Sequence, residues 1–281
     1  MTSLSLRYLL KKIIKIVVCI ITTYTGYQYI TRSKSNKKGL TILTYHSISN
    51  EIEPDETVTP EEFERQLQYI KENYKVISLG EAIEYLQTDF GKISGSIVIT
   101  FDDGYGDNYY NAYPLLKRYN FPATIFLISD FIKNNGSKYL SPSQIHEMKS
   151  NNISFGSHTV SHQILTRLTN EEVVREIRNS KDILESQLSQ IINFFAYPVG
   201  TRADFDDAIM EIVKARKYTC ACSNIYGMNG ENADIFALKR IGIETTDSFF
   251  VFKKKLEGAL NIMSFKDTRF FQKLKRIFFK L

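Results

Sequence analysis

The sequence predicts an α/β fold with a mainly parallel sheet that is either open or closed into a barrel. Short apolar runs of β type alternate along the chain with helix-type patterns, as in folds whose strands are joined by helical crossovers. With 281 residues, 43% of them hydrophobic, the chain can form one domain of about 200 residues with short appendages. The predicted strands lie at 40–45, 96–101, 123–128, 153–156, 194–197, 218–223 and 236–243.

Four of the helices are predicted from their N-terminal caps. In each case a Ser or Thr is followed three residues later by Glu or Gln, which favours a capping box. The caps are Thr59, Ser78, Ser141 and Thr169. Apolar residues at helical spacing mark the buried faces of the first and last of these helices. They are Phe63, Leu67 and Ile70 in the first helix and Val173, Ile177, Leu184 and Leu188 in the last.

Residues 1–39 are predicted to form a membrane anchor and linker. The run from Ile13 to Ile30 is largely apolar and is close to the lower length limit of a spanning helix, with Lys15 placed to snorkel towards the interface. A cleaved signal peptide is less favoured because there is no clear small-x-small cleavage site. An amphipathic helix lying on a surface is the other alternative.

Residues 264–281 are predicted to form a basic amphipathic tail that follows the domain at 40–263. Its apolar residues recur at helical spacing, which suits either anionic lipid headgroups or packing on the domain. Residues 1–40 and 264–281 contribute +8 and +5 to a total charge of +5, so the part between them carries −8. This distribution argues against a nucleic-acid partner and favours membrane lipid as a partner of the two ends.

The first chemical motif is an apolar run that ends in adjacent acids, Asp102 and Asp103, followed by Gly104. A buried parallel strand delivers such side chains to the rim of a sheet or barrel, where active sites lie. Two neighbouring carboxylates need a cation, or one of their pKa values rises. A calcium loop is disfavoured because Asn108 stands where that loop needs glycine. A solvated turn at the strand end is the plain alternative.

The second motif contains His158 and His162, half of the four histidines in the chain. A spacing of four places both imidazoles on one side of a helical turn or tight loop. Taken alone, such a pair is often a surface coincidence. With one carboxylate, however, two imidazoles form a ligand set suited to zinc or a similar divalent ion, with a position open for water.

These motifs resemble the first two motifs of the polysaccharide deacetylase family, the NodB-like carbohydrate esterases of family four. The matching segments are residues 100–104 and 157–162. Weaker similarity at Tyr45–His46, residues 195–200 and residues 238–243 extends the resemblance over residues 40–245. It implies an irregular (β/α) barrel of about seven parallel strands.

The resemblance also implies a reaction. Asp103, His158 and His162 would hold a divalent metal, with Zn²⁺ preferred, and Asp102 would act as the base for a metal-bound water. The substrate would be an N-acetylated sugar polymer, poly-N-acetylglucosamine or similar, and the products would be a free amine and acetate. The resemblance places the membrane-anchored domain outside the cytoplasm.

The third motif departs from the commonest family form. Many members carry an arginine just before the proline to hold the catalytic aspartate, whereas this chain has Tyr197 before Pro198. This version resembles the branch that acts on exported glucosamine polymers. Tyr197, Pro198 and Tyr105 are predicted to contact the substrate, and core packing is the alternative for Tyr197. Arg202 is the candidate for the missing arginine, with a solvated loop position as the alternative.

The last family motif usually ends in a histidine that acts as general acid, and no histidine follows His162 here. His46, after the first strand, is predicted to take that role or to contact substrate, with a structural hydrogen bond as the alternative. His146 is predicted to be solvated. Cys220 and Cys222 share one face of a strand and are interpreted as small core residues.

Two other functions remain open at this stage. One is a deacylase or deformylase of a lipid-linked sugar. The other is a glycan-binding protein that has lost turnover, since the usual arginine and the last histidine are both absent.

Overall fold

The computed structural model describes residues 3–26, 39–51, 56–133 and 138–261, with the side chains of 3–7 and 133 left aside. Strands and helices alternate through this part of the chain, as the sequence predicts. The strands are β1 (Thr41–Tyr45), β2 (Ser47–Ile48), β3 (Thr57–Val58), β4 (Lys75–Val76), β5 (Ser96–Phe101), β6 (Ala123–Leu127), β7 (Ile153–Ser157), β8 (Phe194–Ala196), β9 (Cys220–Tyr226) and β10 (Leu238–Gly242).

Seven strands close into a parallel barrel, which confirms the expected (β/α) barrel. Their order is β1, β10, β9, β8, β7, β6 and β5, and β5 pairs with β1 to complete the ring. The closing register runs along the whole of β1, from Thr41 opposite Ile97 to Tyr45 opposite Phe101. The two-residue strands β2, β3 and β4 lie outside the predicted runs; β4 pairs with the start of β5 and β2 pairs with β3.

Nine α-helices lie within the described residues, and four of them begin at the predicted caps Thr59, Ser78, Ser141 and Thr169. The nine helices are α1 (Ser3–Tyr24), α2 (Pro60–Asn73), α3 (Leu79–Thr88), α4 (Tyr113–Tyr119), α5 (Ser129–Lys133), α6 (Pro142–Lys149), α7 (Asn170–Leu188), α8 (Asp207–Ala215) and α9 (Phe249–Leu256). Complete capping boxes form at Ser78, Ser141 and Thr169. At the cap of α2 only half of the box forms: Thr59 accepts the N–H of Glu62, whose carboxylate accepts from Gln66 instead.

Strand alternation divides the core into a barrel interior and an outer layer under the helices. In β5, Ile97, Ile99 and Phe101 pack outward with the buried faces of the helices. Val98 points inward with residues from neighbouring strands, and it shares that cluster with Phe126. Asp102 directly follows β5 and continues the alternation, so its side chain lies on the same inward side as Val98.

The barrel interior is tightly filled. A Cβ atom on Gly156 would lie 2.5 Å from the Phe126 ring and 2.9 Å from the carbonyl oxygen of Phe194, so this position requires glycine. Cys220 and Cys222 lie in the same inner cluster, fully buried and free. Their interpretation as small core residues is confirmed.

The N-terminal helix α1 packs against the domain beside α9. Cys19 of α1 forms a small apolar cluster with Val251, Ala259 and Leu260. Lys15 is 4% exposed and donates to Asp247 at 2.6 Å. The expectation that Lys15 reaches a lipid interface is therefore wrong, because a carboxylate of the domain neutralises it.

The predicted membrane span gains no support from the structure. Among the helices of residues 3–26, 39–51, 56–133 and 138–261, none combines the length and the apolarity needed to cross a membrane. Residues 27–30 of the predicted span and the predicted tail at 264–281 lie outside the described residues.

Candidate active site

The candidate site lies where the strands of the barrel end. All carboxyl ends of a parallel barrel open on one edge, so residues that follow different strands meet there. His46 follows β1, Asp102 follows β5 and His158 follows β7. Because β5 pairs with β1 and is separated from β7 only by β6, closure of the barrel gathers these side chains on one edge.

Asp102 forms a buried, bidentate ion pair with Arg240 of β10. Nη1 donates to Oδ1 and Nη2 donates to Oδ2, each at 2.7 Å. Both side chains are at most 1% exposed. Burial by itself raises the pKa of Asp102, but Arg240, with His158 and His46, holds that pKa well below its ordinary value. Asp102 is therefore an ionised carboxylate held in one orientation.

Every N–H of the Arg240 guanidinium has an acceptor. Besides the two bonds to Asp102, it donates to the Ser223 carbonyl at 2.8 Å, the Thr100 hydroxyl at 3.3 Å and the Asn224 side chain at 2.8 Å. Ser223 and Asn224 lie where the register between β9 and β10 shifts, and such an irregularity re-aims groups beside a site. The five bonds offset the desolvation of a buried cation.

Arg240 is the functional residue that the motifs do not identify. Arg202, the sequence candidate for holding Asp102, is exposed. Only the structure shows that Leu238 and Arg240 of β10 are buried while Lys239 between them is half-buried. The period of two places an arginine on the inner side of a buried strand, and a buried cation needs an acidic partner.

The second aspartate forms a triad with both histidines of the second motif. Asp103 Oδ1 lies 3.6 Å from His158 Nε2 and 3.5 Å from His162 Nε2, and one ligand atom from each residue lies within 4.8 Å of the others. Ligand atoms about 2.1 Å from a tetrahedral zinc ion are themselves about 3.4 Å apart. Asp103 Oδ1 is buried and has no hydrogen-bond partner within the described residues. The donor set therefore fits a divalent metal.

His158 is oriented by a bond on its far side. Its Nδ1 lies 2.8 Å from the carbonyl oxygen of Ala196 and donates to it, so that the Nε2 lone pair faces Asp103. The side chain is 1% exposed, and burial lowers the pKa of His158 to about 3. The imidazole is therefore neutral, as a metal ligand must be.

The loops that carry the triad have unusual backbone conformations. Asp103, Thr159 and His162 have φ values of 70°, 68° and 61°, which are uncommon for residues other than glycine and cluster at functional sites. The Glu176 carboxylate of α7 accepts the N–H groups of residues 160–161 at 2.9 and 3.0 Å. A helix of the outer layer thus fixes the loop between the two histidines.

The two adjacent aspartates have opposite pKa shifts. Burial raises the pKa of Asp103 to about 6; His46 opposes this shift, and the charge of Asp102 adds to it. Asp102 has Arg240 as a counter-ion, whereas Asp103 faces two imidazoles. A bound cation would reverse the shift of Asp103.

The edge also carries the half-buried His46 and an aromatic pair. His46 acts on the pKa values of both aspartates, and its carbonyl accepts from the Asn108 side chain at 2.8 Å. The Tyr105 ring stacks on Tyr139 with centroids 5.5 Å apart. The Tyr105 hydroxyl donates to Glu56 at 3.3 Å. Tyr139 and Glu56 are additions to the residues that the sequence predicts here.

Tyr197 and Pro198 are buried behind this edge. The N–H of Tyr197 donates to the Cys222 carbonyl at 3.0 Å, and its hydroxyl donates to the Phe236 carbonyl at 2.9 Å. Its ring stacks on Phe205 at 4.1 Å. These contacts are those of a core residue, and substrate contact by Tyr197 and Pro198 stays a prediction. His146 is exposed, as expected.

The parallel barrel with an aspartate pair and an Asp-His-His triad at its carboxyl edge defines a class, the NodB-like metal-dependent amide hydrolases. The sequence model described as Polysaccharide deacetylase matches residues 92–221. YxkH of Bacillus subtilis, named for the same family, is 32% identical over 223 residues, 78% of this chain and 76% of that protein. The chain belongs to the polysaccharide deacetylase family and is a hydrolase of amide bonds.

Two further relatives are informative. A poly-β-1,6-N-acetyl-D-glucosamine N-deacetylase of Staphylococcus epidermidis is 33% identical over 158 residues, which span 51% of this chain but only 54% of that enzyme. The deacetylase PplD of Streptococcus pyogenes, solved in complex with acetate, superposes with a TM-score of 0.67 at 31% identity. That match covers 73% of this chain and 92% of PplD.

Proposed function

We propose that this chain is a zinc-dependent N-deacetylase of an N-acetylated sugar polymer, poly-N-acetylglucosamine or a similar glycan. The observation that carries the proposal is the buried, arginine-paired Asp102 beside the triad of Asp103, His158 and His162. The name of the Staphylococcus epidermidis relative supports the substrate class. The acetate bound to the Streptococcus pyogenes deacetylase is a product of the proposed reaction.

Zinc fits the donor set best. Two imidazoles and one carboxylate are borderline ligands, and three protein ligands leave a fourth position for water or substrate. When bound, such an ion lowers the pKa of a coordinated water to about 7 and polarises an amide carbonyl. His158, held by Ala196, and the unsatisfied Asp103 Oδ1 are the groups that would fix its position.

Asp102 is the proposed general base. Arg240 donates one hydrogen bond to each carboxylate oxygen of Asp102, and a carboxylate oxygen can accept more than one. Because its pKa is held well below its ordinary value, Asp102 is ionised at neutral pH, and the ion pair with Arg240 fixes the orientation in which it would accept a proton from the attacking water. Arg240 keeps this acceptor aimed while the water adds to the acetyl carbon.

His46 is the proposed general acid. When the carbon–nitrogen bond breaks, the departing amine must take up a proton. No histidine follows His162 in the chain, and His46 lies on the same edge, where its charge acts on Asp102 and Asp103. The acetyl group leaves as acetate with the oxygen of the attacking water, and the sugar keeps the free amine.

The stacked rings of Tyr105 and Tyr139 are the proposed sugar platform. Binding sites combine aromatic faces with a few placed polar groups. The rings of Tyr105 and Tyr139 would supply the aromatic face, and the Tyr105 hydroxyl and the Glu56 carboxylate would supply the polar groups. Tyr105 lies two residues beyond Asp103 in the sequence. Tyr197 and Pro198 would support the floor of the pocket from behind.

One observation separates this proposal from a glycan-binding protein without turnover. That alternative depends on the absence of the usual arginine and of the last histidine. Arg240 supplies an equivalent ion pair to Asp102, which removes the first of these two grounds. A deacylase or deformylase of a lipid-linked sugar would use the same groups and differ in pocket depth. A membrane-anchored location with the domain outside the cytoplasm also remains a proposal, supported by the branch that the third motif resembles.

The test is acetate release from chito-oligosaccharides and poly-N-acetylglucosamine oligomers by the purified full chain, with metal content measured on the same sample. Asp102→Asn is expected to lower turnover by about 10²–10⁴-fold while the metal is retained. Bound metal without acetate release by the wild type would overturn the proposal in favour of the binding protein. Acetate release that is unchanged by Asp102→Asn would show that Asp102 is not the base.

A matched pair of arginine variants tests the role of Arg240. Arg240→Lys removes the bidentate geometry and is expected to lower kcat by about 10–100-fold with little change in KM or metal content. Arg202→Lys changes an exposed arginine in the same way and is expected to leave kcat unchanged. Equal kcat values for the two variants would show that Arg240 has no positioning role.

A further inference from the structure

The helix α1 presents an apolar surface to solvent. From residue 8 to residue 24, every residue that is exposed is a large hydrophobic one, with exposed fractions from 41% to 87%. We call this surface the α1 apolar face. Its members are Leu9, Leu10, Ile13, Ile14, Val17, Ile20, Ile21 and Tyr24.

The polarity of α1 is the reverse of that of an ordinary surface helix. At 3.6 residues per turn, the α1 apolar face covers an arc of about 140° roughly opposite Lys15. The residues turned towards the domain include Lys15, Cys19 and Thr22, which are 4%, 0% and 3% exposed. Surface helices normally bury the apolar stripe and expose the charges.

Specific polar contacts hold α1 in this orientation. Lys15 Nζ donates to Asp247 at 2.6 Å and to the Thr246 hydroxyl at 2.8 Å. About two turns earlier in the helix, the Tyr8 hydroxyl donates to the Thr245 carbonyl at 3.0 Å. Rotating the helix to bury its apolar face would break these bonds and leave Asp247 without one of its cations. The exposure of the face is thus built into the fold.

A contiguous row of exposed hydrophobic residues marks an interaction surface. A lipid surface fits its chemistry, because the α1 apolar face offers no charge and no hydrogen-bonding group except the Tyr24 hydroxyl at its end. The flanking charge fits as well. Residues 1–40 carry eight Lys/Arg and no Asp/Glu; Lys15 and Lys11 pair with acids of the domain, and the other six suit anionic headgroups.

We propose that α1 lies in the plane of an anionic lipid bilayer surface, with the α1 apolar face in the headgroup and acyl boundary and the Lys15 side on the domain. A helix bound in this way has no need to cross the bilayer. The proposal concerns where the domain is held and does not depend on the deacetylase activity. It replaces the spanning anchor expected from hydropathy with a helix that stays docked on its own domain.

The first test is flotation of the full chain with vesicles made of equal parts of phosphatidylcholine and phosphatidylglycerol. The wild type is expected to float with the vesicles. The double variant Ile13→Gln, Ile21→Gln is expected to lose about tenfold or more of the bound fraction, because two apolar side chains leave the interface. Its acetate release from soluble oligosaccharides should match the wild type, which shows that it is folded.

A matched control removes the same kind of side chain elsewhere. Val174 and Ile191 are 40% and 75% exposed on other parts of the domain, and the double variant Val174→Gln, Ile191→Gln is expected to float like the wild type. A wild type that stays at the bottom of the gradient would overturn the proposal. Undiminished flotation of Ile13→Gln, Ile21→Gln would also overturn it and would move lipid binding to another segment, such as residues 264–281.

The second test distinguishes an in-plane helix from a spanning one. Cys19, Cys220 and Cys222 are buried, so a thiol introduced by Leu10→Cys or Ile21→Cys can be labelled selectively with an environment-sensitive fluorophore. The two positions are about 16 Å apart along the helix axis. Quenching by lipids brominated at different depths should report the same depth for both labels. Clearly different depths would indicate a spanning helix and overturn the in-plane arrangement.

The alternative binding partner for the α1 apolar face is a second copy of the chain. Light scattering without lipid measures this directly. A wild-type dimer that becomes monomeric in Ile13→Gln, Ile21→Gln, together with no vesicle binding, would replace the lipid proposal with self-association.

Discussion

Two buried carboxylates in different regions of the molecule have opposite surroundings. Asp247, under α1, has a side chain that is 0% exposed and pairs with both Lys15 and Lys255. It also accepts the N–H of Glu244 at 2.9 Å. Asp103, at the barrel edge, is 11% exposed and faces two imidazoles, and its Oδ1 has no hydrogen-bond partner within the described residues.

The difference distinguishes a carboxylate that pairs with cations of its own chain from one that could bind a metal ion. The protein supplies Asp247 with cations from its own chain, and the pair of lysines fastens one element to another. Asp103 instead faces the imidazoles of His158 and His162 and has no lysine or arginine as a counter-ion in the part of the chain that the structure describes. Burial therefore raises the pKa of Asp103 to about 6. A buried carboxylate oxygen that has neither a hydrogen-bond partner nor a counter-ion in the protein can bind an external cation.

The largest expected effect comes from Asp103→Asn. Turnover should fall by about 10³-fold or more, because one of three metal ligands is lost. The metal-free variant should melt at the wild-type temperature or slightly above it, since a neutral amide removes an uncompensated buried charge. Acetate release, metal content and a thermal melt in chelator check the three points. A large loss of metal-free stability would mean that Asp103 is structural.

The converse substitution, Asp247→Asn, should change stability and leave the site intact. Removing one partner of a buried pair costs about 3–5 kcal/mol, and here it leaves Lys15 and Lys255 facing an amide. Chemical denaturation measures the loss, and metal content should equal that of the wild type.

Lys11→Gln is the control for that experiment. It removes an ion pair with Glu244 whose side chains are 38% and 32% exposed, and such pairs contribute about 0–1 kcal/mol. If the two variants lost the same stability, the contrast between a buried and an exposed pair under α1 would fail.

The smallest effect is on the pH dependence of metal binding. The metal needs the ionised carboxylate of Asp103, whose pKa is raised to about 6, so below that pH a proton competes with the metal. Affinity should fall by about tenfold for each pH unit below 6. His158, whose pKa is lowered to about 3 by burial, stays neutral in this range.

Calorimetry between pH 5 and pH 7 provides the measurement. About one proton should be released for each metal bound at the acid end of the range and almost none at the neutral end. Release of two or more protons would show that the histidines, and not Asp103 alone, compete with the metal.

The residues predicted from sequence are those whose context is local. Asp102 and Asp103 directly follow an apolar β run, and His158 and His162 lie four positions apart in one loop. Such short-range patterns predict both the strand or loop that carries the residues and the kind of site that they form. Strand pairing is not local, so the closure of the barrel followed from the family resemblance and not from the pattern itself.

Arg240 and the docking of α1 were beyond the sequence for the same physical reason. Arg240 meets Asp102 across 138 residues, and Lys15 meets Asp247 across 232 residues. Hydropathy gives similar signals for a helix that spans a bilayer and for one that lies on a surface with its apolar side outward. Only the position of Lys15 in three dimensions distinguishes which side of α1 meets the domain.

The position of Arg240 also has a consequence for biosynthesis. Among the described strands of the barrel, β10 is the last in the sequence. A nascent or truncated polypeptide that stops before it therefore contains Asp103, His158 and His162 but lacks the arginine that pairs with Asp102. The proposed proton acceptor would gain its counter-ion only after this strand has been synthesised and has joined the barrel. In the proposed reaction, activity would therefore require the complete barrel.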